Sequence, residues 1–167
     1  MVIPAHLKGR DFLTVSRAGI GLGNMAALDR VAAHWRRLNY GTQPRPQKPV
    51  GTYDLVFAFD AVHDQKDPQE MLATIRRSLR DDGTFLMVDI GGSSRLENNL
   101  EHPLGAYLYM MSTMHCTPVS LGQGGDALGT MWGIELAMQM LEAAGFGNIN
   151  VSRLPHDAFN AYFVATA

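Results

Sequence analysis

Between Tyr53 and Ile90 the hydropathy pattern changes twice, from an unbroken apolar run to a helical stripe and back again. Tyr53-Asp54-Leu55-Val56-Phe57-Ala58-Phe59 is short and almost wholly apolar. A strand with one wet face alternates, so an unbroken run predicts a strand buried on both faces, as in a parallel sheet. Asp60 to Gln65 follows as a polar loop. Asp67 stands where an N-cap belongs, with Pro68 at the first helical position. Met71, Leu72, Ile75 and Leu79 share one helical face, and Arg76, Arg77 and Arg80 crowd the last turn, where positive charge suits the helix C-terminus. Asp81-Asp82-Gly83 reads as the exit turn, and Thr84 to Ile90 as a second apolar strand carrying Asp89 near its end. The stretch is a βαβ unit, for which a right-handed crossover is the default.

Composition sets the class around that unit. A chain of 167 residues, 46% apolar and 18% charged, is long enough for one domain with a real core. Net charge of −2 and the lack of a basic stripe give no case for a nucleic-acid partner. The single cysteine, Cys116, excludes an internal disulfide and fits a reducing, cytoplasmic setting. No apolar run reaches membrane-spanning length, so no membrane partner is expected. Ten methionines are many for this length and predict a core or an adaptable apolar pocket.

Upstream, Phe12 to Val15 reads as a short strand, Gly19-Ile20-Gly21-Leu22-Gly23 as a turn, and Asn24 to about Asn39 as a helix with Leu28, Val31, Trp35 and Leu38 on its apolar face. Strand, glycine turn and helix is the arrangement that a nucleotide-binding first turn needs, although the same glycines also suit a plain flexible loop. Pro44, Pro46 and Pro49 forbid a strand between Tyr40 and Gly51. Downstream, Gly91 to Thr130 is too long for a plain loop, and Leu100, Leu104, Tyr107, Leu108 and Met111 have helical spacing behind Pro103. Met131 to Ala144 reads as an amphipathic helix stopped by Gly145. Two strands, Asn148 to Val151 and Phe159 to Ala165, flank a turn at Leu154 to Asp157.

Several of these residues carry a resemblance. Tyr-Asp-Leu-Val-Phe, the helix, and Leu-Arg-Asp-Asp-Gly-Thr-Phe-Leu-Met-Val-Asp resemble the fourth strand, fourth helix and fifth strand of class I methyltransferases that use S-adenosylmethionine. Phe59-Asp60-Ala61-Val62-His63-Asp64, Glu97-Asn98-Asn99-Leu100, Ser112 to Leu121 and Ala158-Phe159-Asn160 are similar, in that order, to one bacterial-type subfamily whose full-length members carry an N-terminal winged-helix domain. The resemblance covers residues 53–167. It implies a reduced Rossmann-like α/β fold with a mostly parallel sheet of about five strands and an antiparallel C-terminal strand. The order it implies is first strand, Tyr53 strand, Thr84 strand, last strand, Ile149 strand. Residues 1–52 form a degenerate strand–helix segment with a proline-rich linker, and residues 53–167 the methyltransferase-like core of a single domain. A complete fold of this kind has three βα units before the Tyr53 strand, and residues 1–52 have room for one. The expectation is a truncated gene product, a fragment or a naturally reduced relative, with weak or absent cofactor binding. An alternative registration makes Phe12–Val15 the second strand, with Ser16 in place of its terminal acid.

Ligands in open α/β sheets bind outside the C-terminal strand ends. Gly19, Gly21 and Gly23, with Phe59, Asp60 and Ala61, are therefore the candidate S-adenosylmethionine contacts that the resemblance implies. Arg17 replaces the acid expected before the first glycine. His63 is the candidate general base, since imidazole titrates near neutrality, with loop capping as its alternative role. Tyr107, Met111, His115 and Asn160 are candidate substrate contacts, or else core and strand-edge residues. Sequence neighbours such as His115 and Cys116 point apart, which argues against a nucleophile–base pair. With no second cysteine or spaced histidine pair, no metal is expected. Two functions follow. One is methyl transfer from S-adenosylmethionine to a small-molecule acceptor. The other is a non-catalytic methyltransferase-like interaction or dimerisation module, which would form a homodimer.

Overall fold

In the computed structural model, which describes residues 53–167 in full and the backbone of residues 12–16, the apolar run at Tyr53 is a strand covered on both faces. Within β2 (Tyr53–Phe59), Leu55, Val56 and Ala58 are buried. It pairs in parallel with β1 (Phe12–Ser16) on one side and β3 (Leu79–Ile90) on the other. On the far edge of β3 the pairing turns antiparallel, to β5 (Asn160–Thr166), which in turn pairs antiparallel with β4 (Gly147–Ser152). The described strands thus form a sheet in the order β1-β2-β3-β5-β4, as the sequence predicts. The glycine run Gly19–Gly23, the helix expected from Asn24 and the proline-rich linker lie outside the described residues.

The crossover helix α1 (Pro68–Ser78) starts where its cap predicts. The Asp67 carboxylate accepts from the Glu70 amide at 2.9 Å, and Pro68 occupies the first turn. At its other end the three arginines disperse. Arg76 Nε donates to Gly145 O at 2.9 Å, Arg77 pairs with Glu70 at 2.9 Å, and Arg80 pairs with Asp54 at 2.7 Å.

One boundary differs from the expectation. Strand β3 begins at Leu79, not Thr84, because Leu79 already pairs with Tyr53. The next pair is Leu55 with Thr84, so Arg80 to Gly83 stand opposite Asp54 alone. The expected Asp81-Asp82-Gly83 turn therefore lies inside the strand as a large bulge, anchored by the Arg80–Asp54 ion pair. A Cβ at Gly83 would stand 2.9 Å from Arg80 O, which is why the bulge closes on glycine.

Helix α4 (Gly133–Ala143) begins two residues later than the apolar pattern suggests, and Gly145 (φ +88°) ends it by donating to Glu142 O at 2.9 Å. Helices α1 and α4 share one core with the sheet. Leu72, Val56, Phe85, Met87, Leu141 and Phe163 are almost completely buried there, each worth about 1.5–3 kcal/mol. Phe85 and Phe146 stack in this core with centroids 5.3 Å apart.

The long segment after β3 is helical, but not in the expected phase. A 3-10 turn (Leu96–Asn99) comes first. Its Asn99 side chain bonds to the Ser93 backbone in both directions, at 2.8 Å each, and to Tyr109 Oη at 3.0 Å. That turns Asn99 inward and leaves Leu100 on the surface. Helix α2 (Gly105–Met111) then runs through a π-helical turn (Ser112–Cys116) into α3 (Thr117–Gly122). Along the expected core stripe Leu108 is buried, but Leu100 and Tyr107 are exposed.

Candidate functional site

The C-terminal ends of the parallel strands β2 and β3 lie side by side with the start of β5, since Ile90 pairs with Asn160. The sequence rule about strand ends places the candidate site at this edge. Directly after β2 the backbone turns sharply at Asp60, whose φ of 48° is in the left-handed region that non-glycine residues rarely adopt. Its amide donates to Val88 O at 2.8 Å, so the turn is held by β3. The Asp60 side chain stays 41% exposed, whereas Ala61, Val62 and His63 turn inward and are buried.

His63 is the centre of the arrangement. Its Nδ1 lies 2.7 Å from Asp89 Oδ1, with both side chains fully buried. The same Asp89 oxygen accepts from Trp132 Nε1 at 3.1 Å and from the Ile90 amide at 2.9 Å. Asp89 Oδ2 is buried with no hydrogen-bond partner among the described residues. On the other side of the ring, His63 Nε2 lies 3.3 Å from Asp64 Oδ1, and Asp60 Oδ1 is 3.8 Å from Nδ1. Burial pushes the His63 imidazole down. The charge of Asp89, with the nearby Asp64 and Cys116 side chains adding to it, outweighs burial, and the pKa rises from 6.5 to about 12.

Cys116 reaches this cluster from 53 positions further along the chain. The π-helical turn aims it inward while its neighbour His115 is exposed, so the two do point apart as adjacency predicts. Cys116 instead faces His63 and Asp64, with one ligand atom from each of the three within 4.8 Å of the others. Thr130 Oγ1 donates to its sulfur at 3.1 Å. The turn is fixed from outside by Gly129 (φ +72°), where a Cβ would come within 2.3 Å of Ser112 Oγ. The loop after β2 is clasped as well, for Ser120 Oγ donates to Gln65 O at 3.1 Å and the Asp126 amide to Lys66 O at 3.0 Å.

The remaining expected residues are spread out. Tyr107 and His115 are exposed and Met111 is partly buried on the α2–α3 segment. Asn160 Nδ2 donates to Asp157 Oδ2 at 3.0 Å, and Tyr162 Oη donates to the same oxygen at 2.7 Å. Those two bonds, Asn160 first, hold the Asp157 carboxyl down to about 2. The structure therefore brings together Asp60, Ala61 and His63, and adds Asp64, Asp89, Cys116, Thr130 and Trp132. The sequence marks Asp89 by its place at a strand end, as a residue of the same pocket or an acceptor for the following backbone amides, and it both faces His63 and accepts from the Ile90 amide. Trp132 and Thr130 carry no sequence signal. Gly19, Gly21 and Gly23 lie outside the described residues.

Comparisons with known proteins agree with this architecture. A family model described as a methyltransferase domain matches residues 22–87. No curated protein matches the chain in sequence. Among solved structures, a putative O-methyltransferase from Nostoc punctiforme PCC 73102 is 20% identical, with a TM-score of 0.52 over 71% of this chain and 33% of that one. PigF with SAH is 17% identical, with a TM-score of 0.51 over 72% of this chain and 32% of that one. An O-methyltransferase family protein from Burkholderia thailandensis is 12% identical, with a TM-score of 0.50 over 70% and 30%. The chain thus spans about a third of the length of these structures. Its fold is the Rossmann-like one they share, an α/β sheet with parallel pairs and an antiparallel final strand set between β3 and β4.

Proposed function

We propose that the chain is a class I methyltransferase domain that takes S-adenosylmethionine at the C-terminal edge of β1, β2 and β3 and serves a small-molecule acceptor. The observation that carries this is the sheet order. An antiparallel last strand placed inside a parallel sheet separates this fold from ordinary dinucleotide-binding sheets. The family match over residues 22–87 supports the same reading, as do the motifs similar to the winged-helix-bearing subfamily. A reducing cytoplasmic setting suits the lone, buried Cys116.

The residues at the edge fit the cofactor. The strained turn at Asp60 presents a half-open carboxylate beside the β2 terminus, suited to the ammonium of the methionyl part, with Phe59 and Ala61 flanking it. Gly19, Gly21 and Gly23 would serve its other side. Bound there, the cofactor supplies an electrophilic methyl group on a sulfonium. The chain's own residues contribute alignment. His63 holds its proton at neutral pH between Asp89 and Asp64, so we assign it a positioning role at this edge instead of that of the base. Tyr107, Met111, His115 and Asn160 remain the proposed acceptor side.

Calorimetric titration of the folded chain with S-adenosylmethionine and S-adenosylhomocysteine tests the proposal. Weak, saturable binding of both, reduced by Asp60→Ala, is the expected result. A folded chain that binds neither would refute it. Exposed Leu96, Leu100, Met110, Met114 and Leu121 favour a second reading, the interaction module that pairs with its own copy. Sedimentation equilibrium decides that point, because a strict monomer excludes the homodimer.

A further inference from the structure

His63, Asp64 and Cys116 converge on one point beside the strand ends. We propose that His63 Nε2, an Asp64 carboxylate oxygen and the Cys116 thiolate bind a borderline divalent cation, with Zn²⁺ as the fitting ion and a fourth position left for water.

The three side chains stand close enough to share one ion. One ligand atom from each residue lies within 4.8 Å of the other two. Nε2 and Asp64 Oδ1 are 3.3 Å apart. Zn–N and Zn–O bonds of about 2.0–2.2 Å at a tetrahedral angle place their ends about 3.3–3.5 Å apart. The donor set of nitrogen, sulfur and oxygen selects zinc over magnesium or calcium, which prefer oxygen alone.

The ring nitrogen is an independent pointer. His63 is fully buried, and its Nε2 has no hydrogen bond of good geometry, with Asp64 Oδ1 standing 3.3 Å away. Nδ1 donates to Asp89, so an ion bound at Nε2 would take the place of the ring's second proton, facing a carboxylate and a sulfur. Three electron-rich atoms so close repel each other unless a cation sits among them, whether a proton or a metal ion.

The outer partners of such a site are already in place. A carboxylate on the far nitrogen of a ligating histidine fixes its tautomer and orientation. Asp89 does this, and Trp132 Nε1 and the Ile90 amide hold Asp89 still. The Thr130 hydroxyl donates to the Cys116 sulfur, where it would stabilise thiolate charge. The ion would tie the loop after β2 to the π-helical turn, two segments otherwise clasped by Ser120 and the Asp126 amide.

The test uses the full chain, purified without a histidine tag. Metal content is measured by mass spectrometry, the metal is removed with a chelator, and Co²⁺ is titrated back. The expected result is one ion per chain, a near-ultraviolet sulfur-to-cobalt charge-transfer band, displacement by Zn²⁺, and a higher thermal midpoint with zinc. Cys116→Ser should abolish the band. If that variant fails to fold, Asp64→Asn and Thr130→Val carry the test, and Thr130→Val should weaken affinity about 10–100-fold. Two outcomes overturn the proposal. One is a folded chain that binds no cobalt, in which case a proton alone fills the gap. The other is a site lost in Asp60→Asn but intact in Asp64→Asn, which would put the ion on the Asp60–His63–Asp89 side of the ring.

Discussion

Asp89→Asn probes how charge is balanced at the sheet edge. Asp89 Oδ1 lies 2.7 Å from His63 Nδ1 and also accepts from Trp132 Nε1 and the Ile90 amide. Asparagine keeps the shape and one acceptor oxygen but removes the charge. His63 then becomes a buried cation short of its closest counter-ion, and breaking a buried pair from one side costs about 3–5 kcal/mol. Asp64 and Asp60 still stand 3.3 and 3.8 Å from the ring, so a cost near the lower end, about 3 kcal/mol, is expected around neutral pH. The pH dependence follows from the raised His63 pKa. In the wild type its stabilising contribution is complete below the unfolded value of 6.5 and is lost as pH rises toward about 12. A cost of about 3 kcal/mol means that the folded pKa of His63 falls by about two units in the variant. Both proteins then lose stability in parallel as pH rises above 6.5, and the gap closes only over about the last two units before the wild-type value of about 12. Urea unfolding followed by circular dichroism, with chelator present, at about pH 7 and about pH 9.5 measures it. The expected gap is about 3 kcal/mol at both, with each protein losing up to about 1.4 kcal/mol per pH unit between them. A wild type whose stability does not fall between the two would mean that Asp89 does not hold His63 in its charged form.

Four further outcomes follow. Leu72→Ala, in the fully buried face of α1, should cost about 2–5 kcal/mol in the same unfolding assay. Asp67→Ala should cost about 1 kcal/mol by removing the cap on the Glu70 amide. Gly145→Ala and Gly133→Ala both place a side chain at positive φ, but only at Gly133 would the Cβ strike backbone, 2.0 Å from Ser94 N. Thermal melts should show a modest loss for Gly145→Ala and failure to fold for Gly133→Ala. The Ser94 amide and then the Ser93 hydroxyl hold the Glu135 carboxyl down to about 2, so this contribution, present above about 4.5, should fade as pH falls toward 2. Glu135→Gln should flatten the acid limb of a stability profile.

Much of the fold was legible because local and global signals agreed. The doubly buried run at Tyr53, the Asp67-Pro68 start and the Gly145 stop each act within a few residues, and each is where the pattern puts it. The start of β3 was hidden, since Asp81-Asp82-Gly83 is turn chemistry that the structure uses as a bulge. Leu100 has helical spacing with Leu108, but it follows a 3-10 turn whose Asn99 points inward, and the helix that holds Leu108 begins only at Gly105; Tyr107, in that same helix, faces outward. At the site, Asp60 and His63 were visible from their place after a strand. Cys116 was visible only as a neighbour of His115. What brings it to His63 is a π-helical turn, which shifts side-chain direction without leaving a mark in composition.

The position of β5 gives the fold an order in time. Sixty-nine residues, 91–159, separate the end of β3 from the start of the strand that must lie beside it. At the usual pace of translation, about 5–20 residues per second, β3 waits roughly 3–14 s on the ribosome with that edge unpaired. Through this interval its apolar run, with Phe85 and Met87, is open to any passing strand. The acidic bulge at Asp81 and Asp82 leads the same strand, and its charge opposes such pairing until β5 arrives.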